Sequence, residues 1–199
     1  MKQNGFGMMN KTDKRADIMD VALNLIAERG FHDSPMALIA KQAGVAAGTI
    51  YLYFESKDEL ILALHRDLEV RITEMIQEGY PAAASIREKF LYMNRKVLKY
   101  FMENPFHFRF MEQFFNSPYG LSHRKERLLG KSDKSKIMID IFEQGAEQQI
   151  LKNLPMSALF ALAFGPLQTL MRDHILGFLQ LDEATIEQVT QACWDAIKK

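Results

Sequence analysis

A chain of 199 residues with 48% hydrophobic and 25% charged side chains can bury one core or two smaller ones. Its 25 basic and 25 acidic residues cancel, so no global field draws it to a polyanion or an anionic membrane, and any nucleic-acid contact has to be local. The single cysteine, Cys193, excludes an intrachain disulfide and a multi-cysteine metal site and fits a reducing compartment; beside Trp194 in an apolar helical stretch it reads as a packing residue.

Residues 1–10 contain no apolar core of the kind a signal peptide needs, so they read as a loose arm and the expected location is cytoplasmic. From Thr12 to Arg29 the apolar positions Ile18, Ala22, Leu25 and Ile26, with Val21 alongside, recur at helical spacing, and Gly30 stands where a C-terminal cap belongs. Ser34 then offers an N-cap hydroxyl and Pro35 takes the first position of a second helix that runs to about Ala43. Gly44 takes the turn, and Ala46, Ala47 and Gly48 open an expected third helix that carries Tyr51, Tyr53 and Phe54. A fourth begins at Ser56, where Glu59 completes a capping box, and continues through Leu60, Leu64, Leu68 and Ile72 to about Gly79.

After Tyr80-Pro81, the segments 85–102, 105–115, 121–149, 155–179 and 182–198 each read as helices, with Pro or Gly punctuation between them. Residues 122–136 carry six Lys/Arg against two Asp/Glu and few apolar side chains, so their first half is expected to be a surface loop before a helix around Ile137, Ile141 and Phe142. The uncharged run from Asn153 to Met171 contains two prolines and polar residues and runs into Arg172-Asp173-His174, which fits a buried or interface helix, kinked at Pro166, better than a membrane span. No strand pattern occurs. The expected fold is all-α with about nine helices: a flexible arm (1–10), a three-helix helix-turn-helix domain (11–56) and a larger helical domain (57–199).

The stretch from Ile39 to Phe54 has the form of two short helices joined by a glycine turn, which lays its second helix in the major groove of DNA. Ala46, Ala47, Gly48 and Thr49 supply a small leading face, while Ile50 and Phe54, four apart, supply the anchor. Thr49, Tyr51 and Tyr53 carry hydroxyls able to donate to phosphate oxygens, and Lys57 adds a charge near the start of the next helix. Lys41 and Ser34 are secondary phosphate candidates, with Lys11, Lys14 and Arg15 weaker. The competing reading of such a tyrosine is a core residue, and of such a lysine a solvated surface charge.

Ile50-Tyr51-Leu52-Tyr53-Phe54, then Lys57-Asp58-Glu59-Leu60, with Ile39-Ala40-x-x-Ala43-Gly44-Val45 upstream, resembles the tetracycline-repressor family of one-component bacterial regulators. The resemblance covers about Ile18 to Leu64, a third of the chain. It implies a ligand-responsive transcriptional regulator, most simply a repressor, that binds a palindromic double-stranded operator as a homodimer. The chain departs from the family pattern in having Ala46-Ala47 where many members carry Ser or Thr and then Lys or Arg, and Leu52 where His or a polar residue is commoner. Direct readout is therefore expected to be sparse, resting on Tyr51, contacts between alanine and thymine methyls, and DNA shape. Residues 1–66 also hold eight basic and eight acidic side chains, not the basic excess expected of a DNA-binding domain.

The remainder is rich in soft apolar residues, with 14 Phe and 12 Met in the chain. A helical core is the plain reading; a pocket for a small apolar effector is what the resemblance adds. The candidates are Phe90, Met93, Asn94, Val97, Phe101, Phe108, Met111, Phe114, Phe115, Ile141, Phe164, Gln168 and Met171. In the last two helices, Leu159, Leu162, Ala163, Leu167 and Leu170, with Ile186, Val189, Cys193 and Ile197, form broad apolar faces of the kind the family pairs across a two-fold axis. No catalytic constellation, metal-ligand spacing or cofactor motif is recognisable, so no enzyme activity, metal or cofactor is expected and no membrane partner. The alternative is a helical carrier or sensor of apolar molecules that has lost specific DNA binding.

Overall fold

The computed structural model describes residues 11–128 and 136–199, with side chains described for 14–123 and 137–199. Its described residues form nine α-helices and one 3-10 turn, with no strand beyond an isolated bridge between Leu151 and Lys198. The helices are α1 (Lys11–Arg29), α2 (Met36–Gln42), α3 (Lys57–Gln77), α4 (Ile86–Glu103), α5 (Pro105–Phe115), α6 (Pro118–Leu128), α7 (Lys136–Glu147), α8 (Met156–Ile175) and α9 (Glu183–Ile197). None is long and apolar enough to cross a membrane.

Local chemistry accounts for most boundaries. Gly30, at φ +85°, ends α1 in the left-handed conformation and donates its N–H to the Ile26 carbonyl at 2.8 Å. The expected Ser34 cap does not form. Pro35 holds that position, and the buried Ser34 hydroxyl donates instead to the Gly30 carbonyl at 2.8 Å, tying the start of α2 to the end of α1.

The expected third helix is replaced by a turn and a single 3-10 turn, Ile50–Leu52. Thr49 N–H donates to Ala46 O at 2.8 Å and Leu52 N–H to Thr49 O at 3.1 Å, the i to i−3 pattern of the tighter coil. Glycines at 44 and 48 and β-branched Val45, Thr49 and Ile50 are poor helix formers, and so short a piece cannot repay helix nucleation by itself. Ser56 Oγ caps α3 by accepting from Glu59 N–H at 3.1 Å, while the Glu59 carboxylate reaches one residue further back, to Glu55 N–H at 2.5 Å. The first half of the basic stretch, expected as a loop, is helical through Leu128 in α6; residues 129–135 lie outside the described residues. From Ser122 to Leu128 the sequence holds one apolar residue, so it offers no apolar periodicity to read. Helix α8 continues without interruption through Pro166.

Compactness divides the chain into two units, one comprising residues up to Asp67 with Phe106–Ser122, the other Leu68–Pro105 with His123–Lys199. The first buries Ile18, Ile26, Ile39, Ile50, Phe54, Leu60 and Leu64 from the helix-turn-helix and α3, together with Phe110 and Phe114 of α5. Phe31 meets Phe110 and Tyr119 edge-on, with ring centroids 6.1 and 5.7 Å apart, and Gln113 donates to the Ala27 carbonyl at 3.3 Å, so α5 and the start of α6 are locked to the end of α1 and the loop after it. In the second unit α4 packs on α7, α8 and α9. Its core is aromatic: the Phe90 ring lies 5.5 Å from Trp194 and 6.3 Å from both Phe142 and Phe164. Outside that core, Arg95 and Lys99 of α4 pair with Glu187 and Glu183 of α9 at 2.5 and 2.6 Å.

Candidate nucleic-acid interface

The helix-turn-helix displays its second arm by burying two side chains and exposing the rest. Ile50 and Phe54 are 0% and 1% exposed, whereas Tyr51 and Leu52 between them are 53% and 73% exposed. Phe54 N–H donates to Ile50 O at 3.1 Å, closing the backbone over the two anchors. Arg15 of α1 sets its guanidinium 5.0 Å from the centre of the Phe54 ring and donates to Met19 Sδ at 3.0 Å, so its charge supports the anchor within this unit. Upstream, Lys41, Ala46, Ala47 and Gly48 are exposed, and Thr49 and Tyr53 are half-buried. Gly44, at φ +65°, makes the turn between the two arms.

Two of the phosphate candidates are engaged elsewhere. Ser34 is fully buried and spends its hydroxyl on Gly30, which removes it from any interface. Lys57 is half-buried and its ammonium donates to the Phe31 carbonyl. Burial lowers its pKa from the ordinary lysine value, against the opposing effect of the Asp33 and Asp58 carboxylates. Its first role is to fasten the start of α3 to the loop after α1. Next to it, Asp58 accepts the hydroxyl of Tyr119 from α6. Sequence reasoning missed this pair, because its members stand 61 positions apart and neither belongs to a local motif. Of the arm candidates, Lys14 pairs with Asp17 at 3.5 Å, and the Lys11 side chain lies outside those described.

The effector candidates divide between the units. Phe108, Met111, Phe114 and Phe115 belong to the unit of the helix-turn-helix, where all but the exposed Phe115 are buried. Phe90, Met93, Asn94, Val97, Phe101, Ile141, Phe164, Gln168 and Met171 belong to the other. There Phe90, Met93, Asn94, Ile141 and Met171 are buried, and the Asn94 amide donates to the Phe90 carbonyl one turn back at 2.9 Å. Val97, Phe101 and Phe164 are half-buried and Gln168 is exposed.

Of the dimerisation candidates, Leu159, Ala163, Leu167, Ile186, Cys193 and Ile197 are buried within the chain itself. These are the contacts by which α8 and α9 pack on each other and on α4. The open face of the pair carries Leu162, 39% exposed, with the half-buried Leu170 and Val189.

Comparison with known proteins covers both halves of the chain. Residues 18–64 match the family of bacterial regulatory proteins of the tetR type, and residues 85–198 match the tetracyclin repressor-like C-terminal domain. A helix-turn-helix transcriptional regulator of Haemophilus influenzae is 27% identical over 190 residues, spanning 95% of this chain and 98% of its own. The fatty acid metabolism regulator protein of Bacillus subtilis is 42% identical over 82 residues, which cover 41% of this chain and 42% of that protein. The fold also matches the crystal structure of the transcriptional regulator FadR of Bacillus subtilis in complex with stearoyl-CoA, with a TM-score of 0.70 at 24% identity over 90% of this chain and 95% of that one. At that identity the likeness concerns the fold alone.

Proposed function

The chain belongs to the tetR family of bacterial regulatory proteins, DNA-binding regulators that respond to ligands, and on that premise we propose that it is a cytoplasmic repressor that binds a palindromic operator as a homodimer. Two copies of the segment from Ala46 to Tyr53 enter successive major grooves about 34 Å apart. The observation that carries this reading is the contrast within five residues: Ile50 and Phe54 fully buried, Tyr51 and Leu52 exposed. A segment so anchored presents a fixed, narrow edge that fits a groove about 12 Å wide. Lys41, Thr49, Tyr51 and Tyr53 supply the backbone-facing donors, with Lys57 bracing them from behind and retaining ammonium protons beyond the one given to Phe31.

The effector is a small apolar molecule held by the Phe- and Met-rich helices of the C-terminal half. The fatty-acid name of one Bacillus subtilis relative and the stearoyl-CoA bound by the other make a long-chain acyl group the first apolar moiety to test, offered as its CoA thioester, whose charged headgroup would lie outside the apolar helices. An effector changes operator affinity only by binding one conformation of the protein better than the other. By role, residues 11–56 serve DNA and residues 57–199 serve effector and dimer, a division by function that differs from the compact units, since residues 106–122 fold with the helix-turn-helix.

The experiment is fluorescence anisotropy of the full-length protein on duplex DNA from upstream of its own gene, across a salt series and with or without stearoyl-CoA. Binding that weakens steeply with salt, and falls at least tenfold in the combined Lys41→Ala and Tyr51→Ala variant, supports the reading. Both residues are exposed, so their removal leaves the core intact. Undiminished binding by that variant, or no specific binding by the wild type, rejects it.

A further inference from the structure

We infer that this regulator reads thymine through its 5-methyl group, with Leu52 as the reading side chain, and so selects operator half-sites in which a thymine stands at the position Leu52 reaches. The inference rests on the DNA-binding reading above and adds the base class that the interface recognises.

From Gly44 to Phe54 there is no Arg, Lys, Asn, Gln, Asp, Glu or His. Those are the side chains that pair with base edges in the major groove, Arg or Lys on guanine, Asn or Gln on adenine, Asp or Glu on cytosine. Hydroxyls remain, on Thr49, Tyr51 and Tyr53, and they serve phosphates as readily as bases. The more outward of the segment's two exposed large side chains is instead wholly apolar: Leu52 is 73% exposed, against 53% for Tyr51. It is held there by its own backbone, since Leu52 N–H donates to Thr49 O at 3.1 Å and the flanking anchors Ile50 and Phe54 are buried. Ala46 and Ala47, exposed in the turn that leads to it, add methyl groups and no polar atom. The apolar feature that base pairs offer in the major groove is the thymine methyl, and the side chains that meet it are apolar. An isobutyl group carried rigidly on the tip of a recognition segment matches that feature and rejects the bare C5–H edge of cytosine by leaving its own surface uncovered.

The test begins with duplexes enriched from a randomised library by the full-length wild-type protein. An enriched duplex is then remade with deoxyuridine for thymine at one position per half-site, which deletes the methyl and keeps every hydrogen-bonding group. Burial of one such group is worth about fourfold in affinity, so wild-type binding should weaken by about fifteenfold over two half-sites. Leu52→Ala should bind the thymine duplex about as weakly and be indifferent to the deoxyuridine exchange. A cytosine–guanine pair at that position should bind poorly, and 5-methylcytosine should restore part of the loss. Equal wild-type affinity for thymine and deoxyuridine duplexes at every position overturns the inference while leaving DNA binding in place. Full methyl discrimination retained by Leu52→Ala overturns it as well, because the effect would then lie in DNA shape. Failure to enrich any duplex rejects the DNA-binding reading and this inference with it.

Discussion

Two polar side chains at the start of α3 face tertiary partners, and they set how firmly the helix-turn-helix is seated. The Lys57 ammonium donates to the Phe31 carbonyl, and the Asp58 carboxylate accepts from the Tyr119 hydroxyl, while the Tyr119 ring lies 5.7 Å edge-on from Phe31. Burial, with the Asp58 hydrogen bond and charge adding to it, pushes the Tyr119 pKa from 10.0 to about 12. A raised phenol pKa means that folding favours the protonated hydroxyl. Its contribution is therefore complete below pH 10 and is lost as pH rises from 10 through about 12. Tyr119→Phe should cost about 1 kcal/mol at pH 8, the value of a hydrogen bond to a carboxylate that can regain water when its donor is removed. Urea denaturation of the two proteins at pH 8, 10 and 11 checks this: the difference should be largest at pH 8 and shrink at pH 11, and a difference that grows with pH would refute the assignment.

At the scale of elements, α4 carries the complete capping box, with Ser85 Oγ accepting from Glu88 N–H at 3.2 Å and the Glu88 carboxylate accepting from Ser85 N–H at 2.9 Å. Ser85→Ala should lower stability by about 1 kcal/mol through loss of the cap, measured as a shift of the urea midpoint with unchanged slope. The hydrogen bonds from Ser85 hold the Glu88 carboxyl below its ordinary pKa of 4.5, so the box contributes above that pH and fails as pH falls through the lowered value. Boundaries of this type were legible in the sequence, because Gly30, Pro35, Ser56 and Ser85 act on neighbours within four residues. The short coil after the Gly44 turn was legible in position but not in form: an α-helix was expected where a single 3-10 turn, Ile50–Leu52, stands, because the poor helix formers around it outweigh the small residues Ala46 and Ala47. Helix α6 was missed over Ser122–Leu128 for want of an apolar stripe. Ser34 was misread as a phosphate ligand, because its buried hydroxyl answers to the Gly30 carbonyl, and the contact of Lys57 with the Phe31 carbonyl was not legible, because that partner lies 26 positions away. Residue type there advertises a phosphate ligand, and only the folded backbone shows the donors already engaged.

At the scale of the molecule, the second unit stands as a packed core of α4, α7, α8 and α9 whose apolar faces are spent internally at Leu159, Leu167, Ile186 and Ile197. What α8 leaves open is a stripe of modest side chains around Leu162 and Thr169, without a Lys, Arg, Asp or Glu between Met156 and Met171. A face without charge on a helix whose opposite face is packed through Leu159, Ala163, Leu167 and Met171 is suited to a second copy of itself, which is the dimer proposed above. In a two-fold interface every residue appears twice, so a single substitution acts on both sides of the contact. Leu162 tests this best, since it is 39% exposed in the single chain and its replacement leaves the aromatic core untouched. Leu162→Asp would put two carboxylates into an apolar contact and should weaken dimerisation by about a hundredfold or more. Sedimentation velocity at micromolar concentration should then find the wild type as a dimer of 22.9 kDa chains and the variant as a monomer, with helical circular dichroism unchanged. Operator affinity should fall in parallel, because each half-site alone offers one short recognition segment. A wild type that sediments as a monomer, or a variant that remains a dimer, would remove α8 from the interface.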